Sequence, residues 1–271
     1  MQLKKYGLNL ISVTALGIGS VVGAGIFALL GQVIMMAGDQ TYYAFIIAGV
    51  AALFSGYSYS RLAAAYPDSG GLTDYFHIAF KKRWVVGTFS LIYMMTSAVS
   101  ICMMAKSFGI YAVKLFPHVQ DTNFFINAAA CFLIVGLAAL NMQRSKDVGN
   151  TEIVMVSIKM GILLSLIIAA LIHYDIAEKM QTIPFNEVKF MGSIGVTFFA
   201  FAGYGVITNA AGDVKNPQRT ITWGIFLTIL IVIGLYLALA FVALHFIPAK
   251  ELMANADIAV AVAANRLMGD W

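Results

Sequence analysis

The chain has 271 residues, of which 61% are hydrophobic and only 11% charged, with a formal net charge of +4 and a mean hydropathy of +0.85. A soluble domain carries about 25% charged residues, so this composition excludes a soluble globular protein, which needs a polar surface. The alternating segments typical of a membrane β-barrel are absent from the sequence. It therefore predicts an all-α polytopic membrane protein that lies in a lipid bilayer.

Seven membrane spans are predicted within residues 1–247, because a spanning helix needs about 20 mostly apolar residues. They lie at about 8–37, 40–65, 84–116, 123–141, 151–173, 188–212 and 219–247. Residues 248–271 contain a shorter, interrupted apolar run, which predicts an extracellular loop helix.

The distribution of lysine and arginine predicts the orientation of these spans. With the N-terminus inside, ten basic residues fall on the inner side and five on the outer side, as the positive-inside rule requires. This predicts a multi-pass protein of the cell membrane (inner or plasma membrane) with a cytoplasmic N-terminus. It also disfavours a seven-helix receptor, whose N-terminus lies outside. The basic residues belong to this topology signal, so no nucleic-acid partner is indicated.

The first span contains GIGSVVGAGIFALLG at residues 17–31, with five glycines in a segment that has to be helical. Gly19 and Gly23 form a small-xxx-small pair, which explains close packing on one face, and Gly17 and Gly31 are also interpreted as packing glycines. Gly25 lies on another face, and no βαβ unit supports a dinucleotide-binding motif. An unwound segment at Gly23–Ala24–Gly25 explains why Gly25 follows Gly23 so closely. The free backbone groups of such a segment can bind a charged ligand.

The sixth span contains a second glycine-rich interruption, in FFAFAGYGVITNAAGD at 198–213. The sixth span comes five spans after the first, an odd number, so the two interrupted spans run in opposite directions. Paired interruptions in two inverted halves are typical of the substrate site of a secondary transporter.

Lys159 lies in the fifth predicted span, eight residues after its start at Thr151. This spacing places it about 12 Å along the helix axis, a depth at which an ionisable residue is a candidate for function. We interpret it as a proton-coupling residue, with a snorkelled or carbonyl-bound structural lysine as the alternative. Lys106 is interpreted as structural, because it can reach the outer interface.

Enzyme activity is not predicted. The sequence shows no nucleophile–base pair, no metal cluster and no phosphate-binding loop, and we expect no cofactor. Cys102 and Cys131 lie in apolar segments, which favours buried thiols over a disulfide.

Three segments resemble motifs of the amino acid–polyamine–organocation superfamily of permeases. They are GSVVGAGIF at 19–27, YSRLAAAYPDSGG at 59–71, and FFAFAGYGVITNAAGDVKNPQRTI at 198–221. The resemblance implies secondary active transport of amino acids by a fold of two inverted five-helix repeats, the LeuT-like fold, with the substrate held between broken helices one and six.

The resemblance also implies which backbone groups bind the substrate. The α-carboxylate would be bound by the amide groups of Gly23, Ala24 and Gly25. The α-ammonium would be received by the carbonyl groups of Val21, Phe199 and Ala202.

Four side-chain or helix-break positions complete the implied site. Phe199 would close over the substrate as a gate, Gly203 belongs to the interrupted sixth helix, and Tyr204 would line the pocket. Lys159 matches a lysine that takes the place of a sodium ion in proton-dependent relatives. Many relatives have Phe-Glu where this chain has Tyr204–Gly205, and the missing carboxylate favours a substrate with a neutral side chain.

The chain has seven of the ten to fourteen helices expected in this superfamily. We therefore expect the N-terminal part of a permease, or a natural truncation, with the first repeat complete and the second truncated. Proton-coupled transport is the leading hypothesis, and an amino-acid exchanger or a sodium-coupled carrier is the alternative of the same fold. A non-transporting scaffold or sensor with a permease fold is the alternative of another class.

Overall fold

The computed structural model describes residues 8–67, 71–114, 122–142, 145–173, 186–214 and 216–269, and nearly all of them lie in helices. In chain order the α-helices are α1 Leu10–Val21, α2 Ala24–Ala37, α3 Thr41–Ala65, α4 Leu72–Ala79, α5 Arg83–Lys114, α6 Thr122–Asn141, α7 Ser145–Ile172, α8 Glu187–Phe201, α9 Pro217–Phe246, α10 Ala249–Ala254 and α11 Ala259–Met268. A 3₁₀ segment, Ala202–Asp213, continues α8, and shorter 3₁₀ turns lie at Gly38–Gln40 and Ala256–Ile258.

Six stretches of the described chain are helical, long and apolar enough to cross a membrane. The count differs from seven because α1 has only 12 residues, and because a 3₁₀ turn joins α2 and α3 into one stretch, Gly25–Ala65. Relative to the predicted spans, α7 begins at Ser145 rather than at 151, and a short extra helix, α4, follows α3. The all-α polytopic class is confirmed, and its division into two inverted repeats stays a prediction.

The first span is interrupted near its middle. Asn9 caps α1, since its Oδ1 accepts a hydrogen bond of 2.8 Å from the Ser12 N–H. The helix ends at Val21, after which Val22 has φ −76° and ψ 76° and Gly23 is extended, with φ −129° and ψ −150°. The chain becomes helical again at Ala24. The two halves of 12 and 14 residues are each about 20 Å long, so the interruption lies far from both ends of the span.

The sixth span changes its helix type at a corresponding position. Asn186 caps α8 by accepting from the Lys189 N–H at 3.0 Å, and the α-helix continues to Phe201. The next 12 residues form the 3₁₀ segment. Runs of 3₁₀ helix longer than three or four residues are uncommon and often mark a hinge or a strained sequence.

The halves of the two interrupted spans pair with each other. The first half of span one, α1, packs against the 3₁₀ segment and α9, whereas the second half, α2, packs mainly against α8. This pairing brings the break at Val22–Gly23 close to the break at Phe201–Ala202. The site described below lies where these two breaks meet.

Helices α3 and α9 form the main packing interface of the bundle. Gly49 and Gly56 of α3 face α9, where a Cβ on Gly56 would lie 2.8 Å from Ile225 and 2.9 Å from Ile229. Both isoleucines are fully buried. The absence of a side chain at these two positions therefore lets the helices approach closely.

Helices α5 and α6 pack mainly on each other and present apolar surface outward. Cys102 and Cys131 are free thiols that lie on exposed faces of these helices. The prediction that they are not in a disulfide is confirmed, and the prediction that they are buried is wrong. An apolar sequence does not distinguish a cysteine in the protein core from one on the lipid-facing surface, because a membrane span is apolar on both sides.

Replacing Gly56 with leucine should destabilise the bundle. The larger side chain would be forced against Ile225 and Ile229, and overpacking of this kind costs about 1–3 kcal/mol. The measurement is the melting temperature of the purified protein in detergent. Gly234→Leu on α9 is the matched control, since a Cβ there meets nothing within 4 Å. Equal melting temperatures for the two variants would contradict the described packing.

Candidate functional site

The break in the first span redirects the last backbone groups of α1. In a continuous helix the Gly23 N–H would bond to the Gly19 carbonyl, four residues earlier. Here the Gly23 N–H donates to the Val21 carbonyl at 2.8 Å. Lys159 of α7 replaces that N–H as a donor to the Gly19 carbonyl oxygen, through its Nζ. The lysine singled out in the sequence therefore lies against the end of α1, and this contact links α7 to the break.

The start of α2 presents backbone N–H groups at the same break. Gly23 is its N-cap and supplies no side-chain hydrogen bond, and the first turn contains no acidic residue. The first N–H groups of a helix have no partner within it and carry partial positive charge. Tyr111 of α5 fixes this turn by donating from its hydroxyl to the Phe27 carbonyl at 3.0 Å. The first turn of α2 can therefore bind an anion.

The glycines of the first break differ in their surroundings. A Cβ on Gly23 would have no neighbour closer than 3.8 Å, with the Ser20 carbonyl and Met104 nearest. A Cβ on Gly25 would lie 3.1 Å from the Cα of Ala200. Gly25 thus permits close packing of α2 on α8, whereas a Cβ on Gly23 would make only ordinary van der Waals contacts.

The sixth-span break lies directly against the end of α1. A Cβ on Gly203 would overlap the Ser20 carbonyl oxygen, so the two backbones are in contact there. The Ala202 N–H donates to the Phe199 carbonyl, which closes the last turn of α8. Ala202 itself is exposed, and Phe199 is half-buried.

Tyr236 of α9 joins the two breaks. Its side chain is fully buried, with its ring centroid 5.7 Å from that of Phe45 and 5.1 Å from that of Phe201. Its hydroxyl oxygen lies 3.0 Å from the carbonyl oxygen of Val21 and 3.1 Å from that of Ala200. A hydroxyl has one proton to donate, so the two carbonyl groups share a single donor.

Sequence reasoning missed Tyr236, although a signal was present. It lies about two thirds of the way along the 30-residue α9, in the apolar run ILIVIGLYLALAF. A hydroxyl at that depth needs a partner within the protein, because the bilayer core offers none. Which carbonyl groups it bonds to depends on the packing of three helices and is not visible in the sequence.

Tyr204 is buried on the side of the 3₁₀ segment that faces α3. Its ring packs edge-on against Tyr59, with 5.7 Å between centroids, and 4% of the residue is exposed. Of the predicted site residues, the structure thus brings Val21, Gly23, Gly25, Phe199, Ala202 and Gly203 together around the two breaks. Tyr204 lies at one side of this group, and Lys159 lies beneath it, against Gly19.

Comparison with known proteins identifies the family. A family model described as amino acid permease matches residues 8–271. The chain belongs to this family. Amino acid permeases are membrane transport proteins, so the predictions of a multi-pass membrane protein and of no enzyme activity are confirmed.

Named relatives of this permease align over nearly all of the chain. The Escherichia coli inner membrane transport protein YbaT is 40% identical over 262 residues, which cover 97% of this chain and 61% of YbaT. The branched-chain amino acid permease BcaP of Bacillus subtilis is 28% identical, over 98% of this chain and 60% of BcaP. The cationic amino acid transporter 9, chloroplastic, of Arabidopsis thaliana is 26% identical, over 94% of this chain and 48% of that protein. The chain thus spans about half to three fifths of the length of these relatives.

Replacing Tyr236 with phenylalanine should loosen the contact between the two breaks in the permease. The variant keeps the ring between Phe45 and Phe201 but leaves two buried carbonyl groups without their shared donor, at a cost of about 1–3 kcal/mol. We expect a lower melting temperature than for Tyr43→Phe, a matched control on an exposed tyrosine of α3. If both variants had the melting temperature of the wild type, the bridging role of Tyr236 would be wrong.

Proposed function

We propose that this permease carries amino acids across the membrane and binds them where the two interrupted spans meet. The observation that carries the proposal is the junction itself, where the start of α2 and the ends of α1 and α8 lie together. Helix N-termini favour anions and helix C-termini favour cations. An amino acid carries both charges on one carbon atom, so it fits a junction that offers both kinds of helix end. The names of the relatives support the same substrate class.

The carboxylate of the substrate is bound by the amide groups at the start of α2. These are the N–H groups of Gly23, Ala24 and Gly25, and the first turn has no side-chain cap and no acidic residue that would compete with the carboxylate. The Gly23 N–H, which donates to the Val21 carbonyl in this structure, has to exchange that partner for the substrate. Backbone amides that point at a carboxylate form short, charge-assisted hydrogen bonds. The bare backbone at Gly23 allows the ligand to approach closely.

The ammonium group of the substrate is received by carbonyl groups of Val21, Phe199 and Ala202. Val21 already accepts from the Gly23 N–H and shares the Tyr236 hydroxyl with Ala200. The hydroxyl has one proton, so it can donate its hydrogen bond to the Ala200 carbonyl alone. A lone pair of the Val21 carbonyl oxygen is then free to accept from the ammonium group. Substrate binding and the Tyr236 hydrogen bond are thereby coupled.

A neutral side chain suits the surroundings of this site. Met104 lies beside Gly23, and Phe199, our proposed gate, is half-buried at the end of α8. Tyr204–Gly205 places no carboxylate there that could pair with a cationic side chain. We infer that the substrate is a neutral amino acid.

Lys159 couples transport to protons in this proposal, and its hydrogen bond to Gly19 supports that role. A protonated ammonium group binds a carbonyl more strongly than a neutral amine does. Loss of the proton would weaken the link between α7 and α1 and allow α1 to move. Exchange and sodium-coupled transport are the alternatives of the same fold, and they require no proton at this position.

The orientation follows from the basic residues. We propose that the permease lies in the inner or plasma membrane with its N-terminus in the cytoplasm, because ten basic residues fall on that side and five on the other. Helices α10 and α11 then face the outside.

Replacing Gly23 with alanine should weaken amino-acid binding without unfolding the protein. The extended backbone at Gly23 accepts an L residue, and its Cβ would enter space that we assign to the substrate. We expect the dissociation constant to rise about tenfold, as overpacking by 1–3 kcal/mol would produce. The measurement is calorimetric titration of the complete gene product with neutral amino acids.

The matched control is Gly195→Ala on α8, where a Cβ meets nothing within 4 Å, whereas a Cβ on Gly23 has only ordinary contacts at 3.8 and 3.9 Å. Both variants should melt near the wild-type temperature, and only Gly23→Ala should lose affinity. If Gly23→Ala bound amino acids as well as the control did, the carboxylate site would lie elsewhere. If the wild-type protein bound no amino acid at all, a scaffold or sensor function would replace transport.

Replacing Lys159 with alanine should abolish the dependence of uptake on a pH gradient. The test is uptake of a neutral amino acid into proteoliposomes with and without an imposed gradient. Lys159→Gln separates two roles, since its amide can donate a hydrogen bond but carries no titratable proton. We expect both variants to lose the gradient response and Lys106→Ala to keep it. An unchanged response in Lys159→Gln would rule out coupling through this residue.

A further inference from the structure

The residues that follow α9 fold back onto the first span. Helices α10 and α11 and the 3₁₀ turn between them form a compact unit, residues 249–268, which we call the C-terminal hairpin. It packs against α2, α7 and α9. Ile258, Ala259, Val260 and Ala263 are buried in these contacts. The hairpin is therefore part of the packed bundle.

One contact with α2 is made between backbones. A Cβ on Gly31 would overlap the backbone of Ala256, including its carbonyl oxygen. Two segments can approach this closely only where one of them has no side chain. The missing side chain of Gly31 therefore allows α2 and the hairpin to lie in backbone contact.

An exposed hydrogen bond beside this contact adds a second link between α2 and the hairpin. The side-chain amide of Gln32 donates from Nε2 to Oδ1 of Asp257 at 2.8 Å. Gln32 follows Gly31 on α2, and Asp257 follows Ala256 in the hairpin. The backbone contact and the hydrogen bond thus form a two-point attachment, and two points define an orientation where one would permit rotation.

The other side of the hairpin is attached to α9. Arg266 donates from Nη1 to the Phe246 carbonyl at 3.3 Å, at the end of α9, and its Nε lies 3.1 Å from Oε2 of Glu251. The same helix carries Tyr236, which holds the Val21 carbonyl. Helix α9 is thus connected to both halves of the first span, directly to α1, and both directly and through the hairpin to α2.

We propose that Gln32 and Asp257 are positioning residues for substrate binding, because their hydrogen bond sets the direction of the amide groups at the start of α2. Gln32 lies nine residues after Gly23, which is about 13 Å along the helix axis. A helix of this length moves as a rigid rod, so a rotation at Gln32 is a rotation at Gly23. The inference rests on the proposed function, since it assigns these amide groups to the substrate carboxylate.

A reversal of donor and acceptor provides the test. Gln32→Glu places two carboxylates opposite each other and replaces the hydrogen bond with repulsion. Asp257→Asn alone keeps an oxygen acceptor for Gln32. The double variant, Gln32→Glu with Asp257→Asn, restores one amide donor facing one carboxylate, with the roles exchanged. The hydrogen bond is thus broken and rebuilt while both side chains keep nearly the same size.

The measured quantity is the dissociation constant of the complete gene product for a neutral L-amino acid and for its carboxamide, which lacks the carboxylate. We expect Gln32→Glu to weaken binding of the acid about tenfold, the lower end of the effect of losing one hydrogen bond to a charged group. Binding of the carboxamide should be unchanged. Asp257→Asn and the double variant should both bind the acid within about twofold of the wild type.

Several results would overturn the inference. An equal loss of affinity for acid and carboxamide would show a general structural effect, and failure of the double variant to recover would show that the hydrogen bond is not the cause. If Gln32→Glu does not fold, Asp257→Leu removes the acceptor without adding a charge and should give the same selective loss. A wild-type protein that did not prefer the acid over the carboxamide would instead refute the proposed carboxylate site, and the positioning role with it.

Discussion

A helix that is interrupted within a membrane releases backbone groups for which lipid offers no partner, so the partners have to come from the protein, from a bound ligand or from water in a cavity. In this permease the Tyr236 hydroxyl supplies a donor at both breaks, through the carbonyl groups of Val21 and Ala200. Lys159 supplies another, at Gly19. Together with the contact between Gly203 and the end of α1, these bonds hold the two breaks side by side. The proposed substrate site depends on that arrangement.

The two halves of the first span have different neighbours, and this difference suits a transporter. Helix α1 is held by α7, α9 and the 3₁₀ segment, whereas α2 is held by α5, α8 and the C-terminal hairpin. A change in one set of contacts can therefore move one half relative to the other about Val22 and Gly23. Alternating access requires differential binding of substrate in at least two states. We propose that the break, whose main contacts differ on its two sides, is the hinge for such states.

Glycine spacing predicted the positions of both breaks, because few other features explain Gly23 and Gly25 or Gly203 and Gly205 within apolar spans. The structure ends α1 at Val21 and begins α2 at Ala24, close to the predicted segment. Sequence alone could not assign Tyr236, because a tyrosine in a span does not reveal which carbonyl groups it will meet. Gln32 and Asp257 are separated by 225 residues, so only the fold brings them together. Backbone flexibility is thus encoded locally, whereas the side chains that stabilise it come from distant parts of the chain.

The central claim is tested most directly by measuring whether substrate protects a cysteine at position 202 from a thiol reagent. Ala202 is exposed at the sixth-span break, so Ala202→Cys, in a background with Cys102→Ser and Cys131→Ser, should react with a small water-soluble thiol reagent. Saturating neutral amino acid should slow this reaction strongly, whereas a cysteine introduced at exposed Asn265 in the hairpin should react at an unchanged rate. A reaction at Ala202→Cys that amino acids leave unchanged, in a protein shown to bind them, would contradict a substrate site between the two breaks.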